Sequence, residues 1–245
     1  MSCRRQSADR MDSAQPEGDV TMNIIKPYVE SITPLDGDAI LKHIELCGRV
    51  CYKSEDHITA DSAERFVAGI IRRGHEAVLE HYSLSVRFVV DRGISHEIVR
   101  HRLASYCQES SRYCRYDGDK FGNEITVIEP YFLEPGSVAY EEWRTACQRA
   151  EEAYLWLLRD HTPEQARDVL PTSLKTELIM TANLREWRHF FRLRTSQYAH
   201  PQMREVAVPL LHFFQRRIPV VFDDILGAGI VPDKDEAAYI REVIC

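Results

Sequence analysis

Apolar positions change period along the chain, and each change marks an element. Residues 22–34, "MNIIKPYVESITP", predict an opening strand. From Asp36 to Tyr52 the period becomes helical, with Ile40, Ile44 and Cys47 on one face. A second helical stretch covers 59–74; Thr59, Asp61 and Ser62 are cap-type residues, and Gly74 is a stop. "YSLSVRFVV" (82–90) alternates apolar and polar residues and predicts a strand. "GISHEIVRHR" (93–102) predicts a short helix, and "EITVIEPYF" (124–132) a strand. The longest amphipathic segment is 137–161, where Tyr140, Trp143, Cys147, Ala150, Tyr154 and Leu157 recur at three- and four-residue steps. "TELIMTANL" (176–184) is β-rich, and 185–194 and 201–218 predict two further helices. No regular alternation of strand and helix emerges. The expectation is an α+β fold: a single mixed domain over 23–245, with a central, mostly antiparallel sheet and long helices.

Composition narrows the class. A 245-residue chain with 44% hydrophobic and 28% charged residues has enough material for a sizeable core. The polar segment 1–22 lacks the apolar run of a secretory signal and reads as a disordered tail, with Met22 as an alternative start. No apolar run reaches the ~20 residues of a membrane helix. The seven cysteines are odd in number and form no CxxC pair, which points to free thiols and a cytoplasmic location.

Charge changes the picture more. The net charge is −7, yet of the 31 basic residues only Lys26, Lys42, Lys53, Lys120, Lys175 and Lys234 are lysines. Arginine suits planar, bidentate recognition of phosphate and carboxylate. An acidic chain with local arginine clusters favours small anionic ligands over long nucleic acid, which needs a broad basic face. One cluster is "RHRLASYCQESSRYCRY" (100–116), with four arginines and a single acid, Glu109. A second holds Arg185, Arg188, Arg192, Arg194 and Arg204; the first three share one helical face. Two such clusters could build a pocket for two anionic ligands, or for one at a subunit contact.

Other chemistries fit less well. "HEAVLEH" and "HEIVRH" resemble a zinc helix, but their histidines lie six and five residues apart rather than four. A five-residue step turns the second side chain about 140° from the first. No resident metal is expected. Cys107 and Cys114 lie near basic residues but have no recognised Cys/His signature. The GxSxG elbow and both glycine-rich phosphate loops are absent, so Ser105, Ser110 and Ser111 read as hydrogen-bonding hydroxyls. Arg100, His101 and Arg102 are consecutive. On a helix they would radiate about 100° apart, touching different ligands or one ligand wrapped around a turn.

"RHRLASYCQESSRY" resembles the signature of the flavin-dependent thymidylate synthases: Arg-His-Arg, seven residues, Ser110, then Arg112-Tyr113. "RRGHEAVLEHYSLSVRF", "ARDVLP" and "TANLREWRHFFRLRTSQYAHPQMRE" are similar to further family segments, in order, so the resemblance spans about 24–224. It implies reductive methylation of dUMP to dTMP, with 5,10-methylenetetrahydrofolate as carbon donor, NADPH as reductant and FAD as cofactor. It also implies a homotetramer with active sites shared between subunits, and no nucleic-acid or membrane partner. The family's FAD contacts fall on His75, Arg100, His101, Arg102, Gln108, Asn183, Arg185 and His189. Its dUMP contacts fall on Glu97, Arg100, Gln108, Glu109, Ser110, Ser111, Arg112, Arg167 and Arg194. Arg194 matches the residue that stabilises charge on the pyrimidine, and the family needs no protein nucleophile. Glu97 stands where Gln is expected, Gln108 where Glu is frequent, and His189 where Asn is common. A non-catalytic nucleotide- or RNA-binding protein is the alternative these clusters leave; the acidic chain and the lack of interleaved stacking aromatics weigh against it.

Overall fold

The computed structural model describes residues 22–118, 124–227 and 239–242. The expected tail, apart from Met22, lies outside these residues.

The opening segment forms two strands rather than one: β1 (Asn23–Ile25) and β2 (Tyr28–Ser31). Pro27 sits at the break; it has no N–H to give a ladder and marks where one strand must end. β1 pairs in parallel with β5 (Thr126–Ile128) in a separate two-stranded sheet. β2 enters the main sheet beside β3 (Ser83–Asp91), followed by β6 (Lys175–Asn183) and, at the edge, β4 (Ala104–Gln108). These neighbours are antiparallel, and only β7 (Ile240–Glu242) adds in parallel, on the other side of β2. The expected mostly antiparallel sheet is therefore present.

β3 and β6 share nine paired positions, Ser83 with Asn183 through Asp91 with Lys175. Their alternation decides which face is covered. Leu84, Val86, Phe88 and Val90 point inward with Leu178, Met180 and Ala182, all buried. The opposite face is polar: the hydroxyls of Ser85 and Thr181 lie 2.8 Å apart, and Arg87 pairs with Glu30 and Glu177.

Helices α1 (Gly37–Tyr52), α2 (Ser62–Arg72), α6 (Leu184–Arg194) and α7 (Pro201–Arg217) contribute to the core on the inner face. Trp187, Phe190, Phe191, Phe214 and Phe222 are fully buried there, with most neighbouring rings edge-to-face and Trp187 stacked on Phe191. Such rings contribute both area and geometric preference. The Asp36 carboxylate caps α1 by accepting from the Ala39 N–H at 3.0 Å. Gly74 follows α2 in the left-handed region, at φ 72°, as a stop should. Asp61 makes no side-chain cap; the neighbouring Ser62 hydroxyl instead donates to the buried Glu45 at 2.7 Å. α4 (Val138–Leu157) closes a smaller cluster with β5, burying Tyr140, Cys147 and Tyr154. Its face also hides Glu151, which accepts the Ile125 N–H at 2.7 Å. α3 (Arg92–Ile98) ends before the arginine motif, and α5 (Pro163–Ala166) is a single turn. No described helix is long and apolar enough to cross a membrane.

Glu205, on α7, is 4% exposed; Tyr239 donates to one carboxylate oxygen at 3.4 Å and the other oxygen has no partner. Burial pushes its pKa up to about 7. A carboxyl raised on folding binds more protons in the native state, so stability falls as pH rises from its ordinary range through about 7. Glu205→Gln should therefore raise the melting temperature by several degrees at pH 8 and by much less at pH 5. Equal shifts at the two pH values would remove this account.

Candidate active site

α3 stops at Ile98, and a side chain from the edge strand braces the turn that follows. The single Tyr106 hydroxyl proton, on β4, is shared between the carbonyls of Ile98, at 3.0 Å, and of His101. Free helix-end carbonyls need such partners. The resulting turn points His101 inward, 4% exposed, while Arg100 and Arg102 stay exposed on either side. The helix expected over 93–102 thus ends at Ile98, and the three residues diverge from the turn beyond it rather than from a helix.

His101 is the centre of a relay. Arg194 donates its Nε–H to His101 Nε2 at 3.1 Å, and His101 Nδ1 lies 3.1 Å from the Glu186 carboxylate. An arginine nitrogen only donates, so Nε2 must be the acceptor and the ring proton sits on Nδ1, facing Glu186. Burial, then the charges of Arg194 and His189, hold the His101 pKa down at about 4. The ring is thus neutral near pH 7. Burial raises the Glu186 carboxyl above its ordinary value. Arg194 is fixed further by Glu97, whose carboxylate accepts at 2.7 Å and whose backbone carbonyl accepts at 2.8 Å. Three of its five N–H donors are spent on this grip, and two remain.

A cleft of about 570 Å³ opens beside the relay. Arg100, His101, Arg102 and Leu103 form one wall; Asn183, Arg185, Glu186, His189 and Arg192 form another; Glu76 and Glu80 close the end. Its size is that of a small-molecule site. Asn183 caps α6 by accepting the Glu186 N–H at 2.9 Å, so the helix N-terminus faces the cleft and favours negative charge there. Arg100 and Arg102 make no side-chain hydrogen bond or ion pair among the described residues. Arg185 is held by Glu80 at 2.6 Å and Arg192 by Glu76 at 3.0 Å. The His101 and His189 rings meet edge-on at 5.5 Å. A flat ring carrying an anionic tail suits these walls, and so FAD fits the residues present.

The other site residues expected from the sequence separate into further cavities. Ser111 and Arg167 line one of about 420 Å³ together with Arg92, His96 and Thr172. Gln108 and Glu109 line another of about 340 Å³ with Arg87, Lys175 and Glu177. Gln108 donates to Ser95 at 3.0 Å, and Glu109 pairs with Lys175 at 3.0 Å. Arg112 is exposed and pairs with Glu164 at 3.2 Å; Ser110 accepts the Arg112 N–H at 3.4 Å. His75 does not wall the cleft: it is exposed, one residue before Glu76, and bonds Tyr52 at 3.1 Å.

Arg188 departs from the ligand-facing role its helical face suggested. It is fully buried and paired with Glu76 and Asp224. Sequence reasoning placed Arg192 in an anion-binding cluster, and Arg192 does line the cleft; it did not assign Glu76, Glu80, Glu186, Arg92 or His96 to a ligand site. Glu186 had one signal, since Asn183-x-x-Glu186 is a capping-box spacing, but its side chain serves His101 instead.

Residues 38–220 match the family described as "Thymidylate synthase complementing protein". The chain is 35% identical over 206 residues to the flavin-dependent thymidylate synthase of Geobacter sulfurreducens, covering 76% of this chain and 85% of the relative. It is 35% identical over 211 residues to that of Mycolicibacterium vanbaalenii, covering 81% and 84%. It is 34% identical over 176 residues to that of Pyrococcus furiosus, covering 71% of each. Among solved structures it is similar to a UMP/dUMP methylase from Streptomyces cacaoi bound with 5-Br dUMP. The TM-score is 0.67 at 24% identity, covering 82% of this chain and 96% of the other, and the likeness is one of fold.

Proposed function

The chain belongs to the flavin-dependent thymidylate synthase family, and from that premise we propose that it converts dUMP to dTMP with 5,10-methylenetetrahydrofolate, NADPH and FAD. The transferred carbon starts at the oxidation level of formaldehyde and ends as a methyl group, so the reaction consumes one hydride. FAD, once bound and reduced by NADPH, supplies that hydride.

The observation that carries the reading is the relay Glu186–His101–Arg194 set beside the Arg100–Arg102 turn. It supports two roles. The exposed guanidiniums of Arg100, Arg102 and Arg185 hold the anionic tail of the flavin at the N-terminus of α6, while Asn183 and His189 donate or accept at its edge. Arg194, gripped by His101 and Glu97, directs its two spare N–H groups at the pyrimidine edge, where they stabilise negative charge on N3 and O2 and so polarise the ring for reaction at C5. A donor already fixed in place needs no reorganisation at that moment.

The nucleotide-side residues supply the rest. Arg167 and Ser111 suit a phosphate in their polar cavity, joined by Glu109, Ser110 and Arg112 from the segment after β4 and by Gln108 at that strand's end. In one chain Ser111 and Arg167, and Gln108 and Glu109, line different cavities from Arg100, which supports a homotetramer that completes each site across a subunit contact. No catalytic metal is needed. A cytoplasmic location accords with the free cysteines.

The visible spectrum tests the reading. The purified protein should take up FAD and turn yellow, and NADPH should bleach it faster when dUMP is present. A protein unable to bind FAD would sink the proposal. No histidine or carboxylate bonds Ser110 among the described residues, so no base activates it. Ser110→Ala should keep dTMP formation within about tenfold of the parent, the scale of one lost hydrogen bond. Complete loss with FAD and dUMP still bound would restore a nucleophilic serine.

A further inference from the structure

A second concentration of arginine lies away from the cleft, between α1 and α2. Arg49, Arg65, Arg72 and Arg73 line one cavity of about 400 Å³ with Tyr52 and Gly69. Arg65, Gly69 and Arg72 are four and three residues apart, so they share one face of α2. Gly69 is the floor: a Cβ there would stand 3.3 Å from the Arg73 guanidinium, which lies across it.

The charges in this cavity are unequal. Arg49 is neutralised by the buried Glu45, at 2.8 Å, and its guanidinium stacks on Phe66 at 4.5 Å. Arg65 has an electrostatic neighbour in Asp61. The Arg72 and Arg73 side chains are exposed and make no hydrogen bond or ion pair among the described residues. Two uncompensated guanidiniums match a phosphate monoester, which carries about −1.5 to −2 charges near pH 7. Arginine's fork also suits its oxygens.

The cavity is next to the cleft. Tyr52 lines it, and the Tyr52 hydroxyl bonds His75 Nδ1 at 3.1 Å. His75 leads directly into the turn Glu76–His81, whose Glu76 and Glu80 close the cleft. An extended dinucleotide can therefore lay one ring at the cleft and its far end over this partition.

Resting on the function proposed above, we propose that this pocket seats the 2′-phosphate of NADPH, with Arg72 and Arg73 as the residues that select it over NADH. Steady-state kinetics of the FAD-loaded enzyme test the assignment with both reduced nucleotides, and with folate carrying one or three glutamates. In the Arg72→Gln/Arg73→Gln double variant the KM for NADPH should rise about tenfold or more, the scale of one or two lost charge-assisted contacts. The KM for NADH should move less than twofold, and Arg72→Lys/Arg73→Lys should recover part of the loss. An unchanged NADPH KM, equal shifts for both nucleotides, or a shift confined to the triglutamate folate would each overturn the assignment. Both arginines are exposed, so an unchanged melting temperature checks the fold. Calorimetric titration of adenosine 2′,5′-bisphosphate against adenosine 5′-monophosphate reads the pocket without turnover. No preference for the bisphosphate in the parent protein would also overturn it, whereas a parent that binds the bisphosphate but makes no dTMP would fail the proposed function alone.

Discussion

Arg194→Ala is expected to lower dTMP formation by about a hundred- to a thousandfold, the ~3–4 kcal/mol that one preorganised donor contributes to a developing anion. The loss should fall on kcat, because the charge Arg194 faces grows as the pyrimidine reacts. Three contacts now hold its guanidinium: His101 Nε2, the Glu97 carboxylate and the Glu97 carbonyl. Arg194→Lys should rescue little, since an ammonium supplies a point charge but no planar fork. The variant should still fold and bind FAD, because Arg194 is not one of the cleft's walls. A second readout separates lost charge from lost structure. Burial is the larger cause of the depressed His101 pKa, and the Arg194 charge the next, so in Arg194→Ala the ring should titrate above about 4 by NMR. Near-parental turnover, or an unmoved His101, would contradict the role given to this residue.

The reach of the sequence followed from which interactions are local. The 3.6-residue period of α1 and α4 and the alternation in β3 and β6 are set by which side faces a core, and they were legible. β4 was not. Its residues Ala104–Gln108 alternate only between half-buried and exposed, at the edge of the sheet among the described residues, and so no clear apolar period marks it. The opening segment predicts a single strand because its β-formers run through Pro27, and only the ladder shows that β1 and β2 belong to different sheets. The same division holds in the site. Arg100–Arg102 stood out as a run of charge. Glu186 did not, since its partner His101 is 85 residues away and is brought to it by the pairing of β4 with β6 and the start of α6 directly after β6. Periodicity assigned Arg185, Arg188 and Arg192 to one face of α6, but only the tertiary structure shows acids covering part of it.

That covering makes Arg188 the position where substitution should cost most stability. All five of its N–H donors are used. Nε and Nη2 reach Glu76 at 3.1 and 3.0 Å, Nη1 and Nη2 reach the two oxygens of Asp224 at 2.7 Å each, and Nη1 also reaches the Val221 carbonyl. Arg188→Ala opens a cavity at a fully buried site, removes the hydrogen-bond donor of Asp224 and of the Val221 carbonyl, and leaves Glu76 with Arg192 alone. Breaking such a pair from one side costs about 3–5 kcal/mol, a fall of roughly 10 °C or more in melting temperature for a domain of this size. Glu76 and Asp224 keep 17% and 48% of their side-chain surface exposed, so both can regain water. Arg188→Met, which restores volume but not charge, should therefore lie between alanine and the parent. The damage should extend to the cleft. Glu76 is held below its ordinary pKa against its own burial by Arg192 and Arg188, and it closes the cleft's end together with Arg192. FAD content should thus fall along with stability. A melting temperature within about 2 °C of the parent, less than the loss of one kcal/mol would produce, would show that the pairs stabilise little and that the helical face is free to serve a ligand after all.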